Sequence, residues 1–193
     1  LETAIESGRR DAATWARLAR LRLDSGDAAG GVQAVERAFL IGDADTQLAL
    51  DAAGLAQKAG NAKLARQVLR STLTRKPDAV MVWLGLAKLD GPAKEKEVLE
   101  EAVGSVPKSA EAWRALGHAR LALEDAKGGV AALKTALELA PAMSEVAVEL
   151  AEQHFQAGDL DAAARLLKPL AAGATAHAHR LLAAVLGKKG DAR

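Results

Sequence analysis

The 193-residue chain contains no cysteine and no tyrosine, and only 3% of its residues are aromatic. Without cysteine there is no disulfide scaffold and no thiolate metal site. That absence suits a reducing cytoplasm and an envelope compartment equally. The scarcity of aromatics removes the platforms on which nucleic-acid bases stack. Charge of either sign is also not in excess: 26 Lys and Arg face 25 Asp and Glu, leaving +1. No global field therefore draws the chain to nucleic acid or to an anionic membrane. No apolar run reaches the roughly 20 residues that cross a bilayer, so no membrane span is expected. The chain opens at Leu1 with neither Met nor a charged-then-apolar leader, so an earlier stretch is expected to have been removed.

Catalytic signatures are missing as well. There is no Gly-rich phosphate loop, no G-x-S-x-G elbow and no H-E-x-x-H. Gly30-Gly31 and Gly128-Gly129 do not follow strands, which rules out a dinucleotide reading. His177-x-His179 is the one histidine cluster. Residues two apart on a helix point roughly 200° apart and cannot hold one ion together. Glu100-Glu101 and Glu95-x-Glu97 read as solvated helix faces. No catalytic residue, no metal ligand and no cofactor is expected, and the chain is not expected to be an enzyme.

Half of the residues are hydrophobic, and their arrangement repeats. In Ala110–Pro141, AEAWRALGHARLALEDAKGGVAALKTALELAP, Trp113, Leu116 and Gly117 stand as W-x2-L-G. Gly129, Leu133 and Ala136 follow at fixed offsets, and Pro141 closes the stretch. Laid over the rest of the chain, this template puts Trp15, Ala49, Trp83, Trp113, Ala147 and His179 in equivalent places, with gaps of 34, 34, 30, 34 and 32 residues. Turn marks keep the same period independently: Gly26-Asp27, Gly60-Asn61, Glu124-Asp125, Gly158-Asp159 and Gly190-Asp191. Leu18, Leu21 and Leu23, then Val32, Val35 and Ala38, fit a 3.6-residue period, and period-2 alternation is absent.

This period and punctuation resemble the tetratricopeptide repeat (TPR), a helix–turn–helix unit of about 34 residues. The resemblance implies an all-α fold, a right-handed α-solenoid of about 11 helices in one domain over 1–193. Residues 1–10 would end a preceding repeat; 11–43, 44–77, 78–107, 108–141 and 142–174 would be repeats, and 175–193 a lone final helix stopped at Gly190-Asp191. Roughly three-quarters or more of the chain should be helix, far above the usual third or so, with no strand. The third repeat is four residues short. Its turn, Leu89-Asp90-Gly91-Pro92, puts Pro where a first helical turn tolerates it. With Glu95 at a usually small position, a local change of superhelical angle is expected there.

Small residues should line the crossings within repeats: Ala19, Ala53, Ala87, Gly117, Ala151 and Ala183 on one side, Gly31, Ala65, Gly129 and Ala163 on the other. A mid-helix Gly costs about 0.8–1.0 kcal/mol against Ala, so the two Gly-Gly pairs imply a close backbone approach. Trp15, Trp83 and Trp113 are expected in the core between repeats. Pro77, Pro107 and Pro141 should end each second helix. Where the family pattern carries Tyr, this chain has Arg22, Ala56, Asp90, Arg120, His154 and Leu186; where it carries Phe, Val35, Leu69, Leu99, Leu133 and Leu167.

The resemblance also implies the type of function, which is partner binding on the concave wall built by the first helices. Their outward positions are Arg17, Arg20 and Asp24; Gln47, Leu50, Asp51 and Lys58; Met81, Leu84 and Lys88; Glu111, Arg114 and His118; Glu145, Val148, Glu149, Glu152 and Phe155; His177 and Arg180. Basic groups predominate in the first four helices and acidic ones in the fifth, which suits a protein or peptide ligand of mixed charge. One subclass of the family grips a C-terminal carboxylate with a Lys/Asn clamp. The matching positions here are Ala16, Arg20 and Gly54, so that mode is not expected. The expected role is a non-catalytic scaffold in assembly of a larger complex. The alternative is a regulatory or substrate-recruiting arm of a multidomain enzyme. Binding of a glycan or nucleic acid along Arg17, Arg20, Lys88 and Arg114 is disfavoured. The Ala/Leu/Arg/Gly-rich style is similar to that of long bacterial repeat arrays, among them envelope proteins of exopolysaccharide secretion and protein sorting. A periplasmic or envelope setting is therefore favoured over the cytoplasm. Leu181, Leu182, Val185 and Leu186 lack a following helix, so end-to-end self-association is expected through them.

Overall fold

The computed structural model describes residues 11–41, 46–170 and 175–191. Of the described residues 82% are helical, and none is in a strand. Its contacts divide it into an N-terminal unit, Leu1–Val106, and a C-terminal unit, Pro107–Arg193. The helix tail expected over residues 1–10 lies outside the described residues.

The N-terminal unit contains α1 (Ala12–Asp24), α2 (Ala28–Ile41), α3 (Thr46–Lys58), α4 (Ala62–Arg75), α5 (Val80–Ala87) and α6 (Pro92–Ser105). Each odd-numbered helix packs on the next as a hairpin, and α2, α3, α4 and α5 pack in succession. The C-terminal unit contains α7 (Ala110–Ala122), α8 (Ala126–Leu139), α9 (Ser144–Gln156), α10 (Leu160–Leu167), a 3-10 turn (Lys168–Leu170) and α11 (Ala176–Asp191). The tetratricopeptide reading thus recovers every described helix, and Pro92 is the first residue of α6 as expected.

The turns of four hairpins share one device, which the α5–α6 turn at Gly91 does not use. Gly26, Gly60 and Gly158 take positive φ of 85°, 75° and 80°, which closes the first helix. The next residue, Asp27, Asn61 or Asp159, then caps the second helix by accepting the N–H of Gly30, Leu64 or Ala162. Asp125 does the same for Gly128 at 2.9 Å. There the positive-φ residue is Glu124, at 61°, a conformation that costs an L-residue roughly 1–2 kcal/mol.

The glycine pairs divide their work. A Cβ on Gly129 would stand 3.1 Å from Gly117 O and 2.5 Å from Leu121 Cγ, and one on Gly117 would stand 3.2 Å from Gly129 O. The second glycine therefore lets two backbones meet. A Cβ on Gly128 or Gly30 would instead strike the carboxylate of its own capping residue, Asp125 or Asp27. The first glycine makes room for the cap.

Two expectations change, and one feature is new. The shortening of the third repeat falls on its first helix, since α5 has eight residues where α1, α3, α7 and α9 have 13. Gly190-Asp191 does not stop the last helix, because Gly190 does not adopt the positive φ of the other turn glycines and α11 runs on to Asp191. Pro169, lacking an N–H, ends α10 after eight residues.

The tryptophans also differ from one another. Trp83 is buried at 6% exposure, whereas Trp15 and Trp113 are half-buried. Trp83 Nε1 donates to Pro77 O, and Trp113 Nε1 to Pro107 O, both at 2.9 Å. Pro therefore ends the second helix and offers its carbonyl to the next first helix. Trp15 Nε1 is buried with no partner among the described residues.

Candidate functional site

In the N-terminal unit, α1 and α3 hold Arg17, Arg20 and Asp51 around a cleft of about 250 Å³ floored by Ala13, Ala16 and Leu55. Both arginines are exposed and make no ion pair among the described residues. Gln47 Nε2 donates to Asp51 Oδ1 at 3.1 Å, one turn along α3. Lys58 in the last turn of α3 and Lys88 at the end of α5 are exposed but do not line this cleft.

The C-terminal unit gathers more of the expected residues. Arg114 and His118 lie one turn apart on α7 and reach the same carboxylate on α9. Arg114 Nη2 and Nε donate to Glu149 Oε1 and Oε2 at 2.5 and 3.2 Å, a bidentate fork. His118 Nε2 donates to Glu149 Oε2 at 2.9 Å, the tautomer that an acceptor-only carboxylate requires. Partial burial pushes the Glu149 carboxyl up, but the Arg114 and His118 hydrogen bonds more than offset it, and the group stays ionised below the usual Glu range. Arg114 is held correspondingly above its ordinary value by the Glu149 hydrogen bond.

Next to this network is a pocket of about 430 Å³. Val148 and Ala178 meet Pro169 and Leu170 to make its apolar side, with Ser144 and Thr175 beside them. Arg114, Glu145, Glu149, Glu152 and His177 make its polar side. His177 Nε2 donates to Glu152 Oε1 at 2.5 Å, while His179 Nδ1 lies 3.1 Å from Thr175 O. The two histidines thus point to different partners, as their spacing requires. Glu145 is exposed and makes no ion pair among the described residues. It is the one pocket carboxylate that makes no salt bridge there, although its charge helps to hold Arg114 above its ordinary value.

The remaining residues lie elsewhere. Glu111 accepts from Ser109 Oγ at 3.1 Å beside the cap of α7. Arg180 is exposed on α11, outside the pocket lining. Phe155 packs against the cluster of Ala163, Leu167, Leu181 and Val185, and Lys188 covers its ring at 4.5 Å. That same cluster changes the expectation for the chain's end. Leu181 and Val185 are buried and Leu182 is half-buried against α10, so of the four apolar residues only Leu186, at 45%, is exposed. Ala183, expected at a crossing, faces outward.

Pro169, Leu170, Ser144 and Thr175 were not anticipated. The signal was Pro169 itself, which ends α10 early and brings Leu170 against α9 and α11. The expected division into basic and acidic helices is also blunted, since Arg114 from the basic side and Glu149 from the acidic side neutralise one another.

Among the described residues no group of three or more His, Asp or Glu is placed to hold a metal ion, and no helix is long and apolar enough to cross a membrane. No protein-family model and no curated protein matches the sequence. Solved structures do match. MamA 41-end from Desulfovibrio magneticus RS-1 is 18% identical over 84% of this chain and 94% of its own, with a TM-score of 0.58. PilF from Pseudomonas aeruginosa is 18% identical over 93% and 86%, at 0.62. A thermophilic TPR protein of Thermus thermophilus is 21% identical over 91% and 98%, at 0.53. At these identities the likeness is one of fold.

Proposed function

We propose that this chain, whose fold is that of the tetratricopeptide-repeat proteins, is a non-catalytic scaffold that binds a segment of another protein in assembly of a larger complex. The observation that carries the reading is the 430 Å³ pocket beside Arg114–Glu149–His118. An apolar side with a few convergent polar groups is the usual make-up of a binding site. Bridging α7 and α9 through Glu149 pre-orders the pocket wall, which lowers the entropy lost on binding.

The pairing inside the pocket narrows the ligand. Arg114 and His118 are engaged by Glu149, and His177 by Glu152, whereas Glu145 makes no hydrogen bond or salt bridge of its own and acts on Arg114 only at longer range. A ligand that seats an aliphatic side chain on Val148 and brings a Lys or Arg to Glu145 matches both halves. In the N-terminal unit Arg17 and Arg20 present the opposite sign.

Peptide-display selection against the wild-type protein tests this. Recovered peptides should carry a basic residue next to an aliphatic one. They should lose about tenfold or more in affinity on Val148→Arg and on Glu145→Lys, with helicity by circular dichroism unchanged. Peptides that bind both variants as well as wild type would place the binding site elsewhere.

A further inference from the structure

The second helices of the C-terminal unit leave an open groove between α8 and α10, of about 460 Å³. Val130 and Leu137 of α8, Leu150 of α9, and Ala162 and Leu166 of α10 form its floor. Three of these, Val130, Leu137 and Leu166, are half-buried residues around the cluster of Leu133, Ala136, Val146 and Leu150. The groove is thus an uncovered edge of that cluster.

The same register in the N-terminal unit is crossed by ion pairs. Counted from Leu69 and Leu133, Val130 takes the place of Arg66, and Lys134 that of Arg70. Counted from Trp83 and Ala147, His154 takes the place of Asp90. Arg66 grips Asp90 with two hydrogen bonds, at 2.6 and 3.3 Å. Arg70 pairs with Glu101 and lies over the Trp83 ring at 5.9 Å. In the C-terminal unit Val130 offers no charge, and Pro169 stands where Glu101 would. His154 Nδ1 is 3.5 Å from Asp159 Oδ2, and Lys134 approaches Glu138 of its own helix at 3.9 Å. The two contacts that bolt α4 down thus have no counterpart on α8.

The rim charges are unevenly used. Glu138 faces Lys134, and Asp159 caps α10. Arg165, on the α10 rim, is exposed and makes no ion pair among the described residues.

We propose that this groove docks an amphipathic α-helix of a partner protein, with aliphatic side chains at i, i+3/i+4 and i+7 on the Val130–Leu137–Leu166 floor and a carboxylate at Arg165. Helix-in-groove recognition needs an apolar trough with charged rims, and an acidic helix is the one that Arg165, the rim cation with no ion pair among the described residues, accepts. The site uses residues other than those of the α7–α9–α11 pocket and does not depend on that pocket being occupied.

The probe is a fluorescein-labelled, stapled synthetic helix of about four turns, leucine on one face and glutamate flanking it, with a twin bearing lysine for glutamate. Fluorescence polarisation should show the acidic helix binding about tenfold tighter than its twin. Val130→Arg with His154→Asp installs the Arg66–Asp90 arrangement and should lower affinity for the acidic helix about tenfold or more. Arg165→Glu, an exposed change that leaves the fold in place, should reverse the preference between the two helices. Val148→Arg, in the other pocket, should change neither. Equal binding of the two helices, or undiminished binding by the double variant, overturns the proposal. So does a dimer in sedimentation that Val130→Arg with His154→Asp dissolves, since a second copy would then be the occupant.

Discussion

In the N-terminal unit ion pairs tie the second helix α4 to the succeeding hairpin, Arg66 to Asp90 and Arg70 to Glu101. In the C-terminal unit ties run between first helices, Arg114 and His118 of α7 to Glu149 of α9 and His177 of α11 to Glu152 of α9, while Asp161 of the second helix α10 pairs with Lys189 of α11. Both units are built from one repeat with the same apolar positions. The repeat prescribes the inward residues, because only those decide whether the hairpins pack. The outward residues are free, and their charges determine which face is locked and which is left to receive something else.

The largest contrast should come from the tryptophans. Trp83 is fully packed and Trp113 is not. Trp83→Ala should cost about 3–5 kcal/mol in urea unfolding followed by circular dichroism, and Trp113→Ala distinctly less. Equal losses would mean that the indole–proline hydrogen bond, which the two share, matters more than burial.

The glycines separate the units next. Gly129→Ala forces a Cβ against the Gly117 carbonyl and should cost about 1–3 kcal/mol. Gly31→Ala meets the Leu23 side chain at 2.6 Å but the Ala19 carbonyl only at 3.5 Å. There the roughly 1 kcal/mol gain in helix propensity offsets the adjustment, and the melting temperature should scarcely move. A large loss for Gly31→Ala would show that α1 and α2 are as closely packed as α7 and α8.

The smallest effect is electrostatic. The Arg66 hydrogen bond lowers the Asp90 pKa, that from Arg70 lowers the Glu101 pKa, and Glu149 is also lowered. A carboxyl depressed on folding contributes stability above its unfolded pKa of about 4, and loses it as pH falls through the folded value. Stability should therefore decline below about pH 4.5, by less than about 1 kcal/mol for each of these partly exposed pairs. Asp90→Asn with Glu101→Gln, and separately Glu149→Gln, should each flatten part of that decline, as denaturant titrations at stepwise lower pH would record. An unchanged acid limb in either variant would remove that unit's ion pairs from the account of its stability.

Much of the fold was legible in the chain because its causes are local. A glycine before Asp or Asn makes a turn whatever surrounds it, and Ala or Gly at a crossing states how near two helices come. Glu124 shows the limit, since no propensity would put it in the left-handed region. It is held there by the helices on either side and by Asp125, which caps at the same offset as its counterparts. The site was legible only in outline. Spacing alone assigned Arg114, Glu145 and Glu152 to outward positions, and the structure brings the three to one pocket. That Arg114 is committed to Glu149, that Phe155 is packed under Lys188, and that Pro169 brings Leu170 into the pocket depend on rotamers and on contacts between helices far apart in sequence.

The sequence by itself determined the repeat, its turns and the list of side chains available to a partner, through period, capping and size. Tertiary structure alone decided which charges are already spent on each other and which grooves are open. The ion pairs between hairpins join positions about 25 to 35 residues apart, and whether they meet depends on how one hairpin packs against the next, which no single helix encodes.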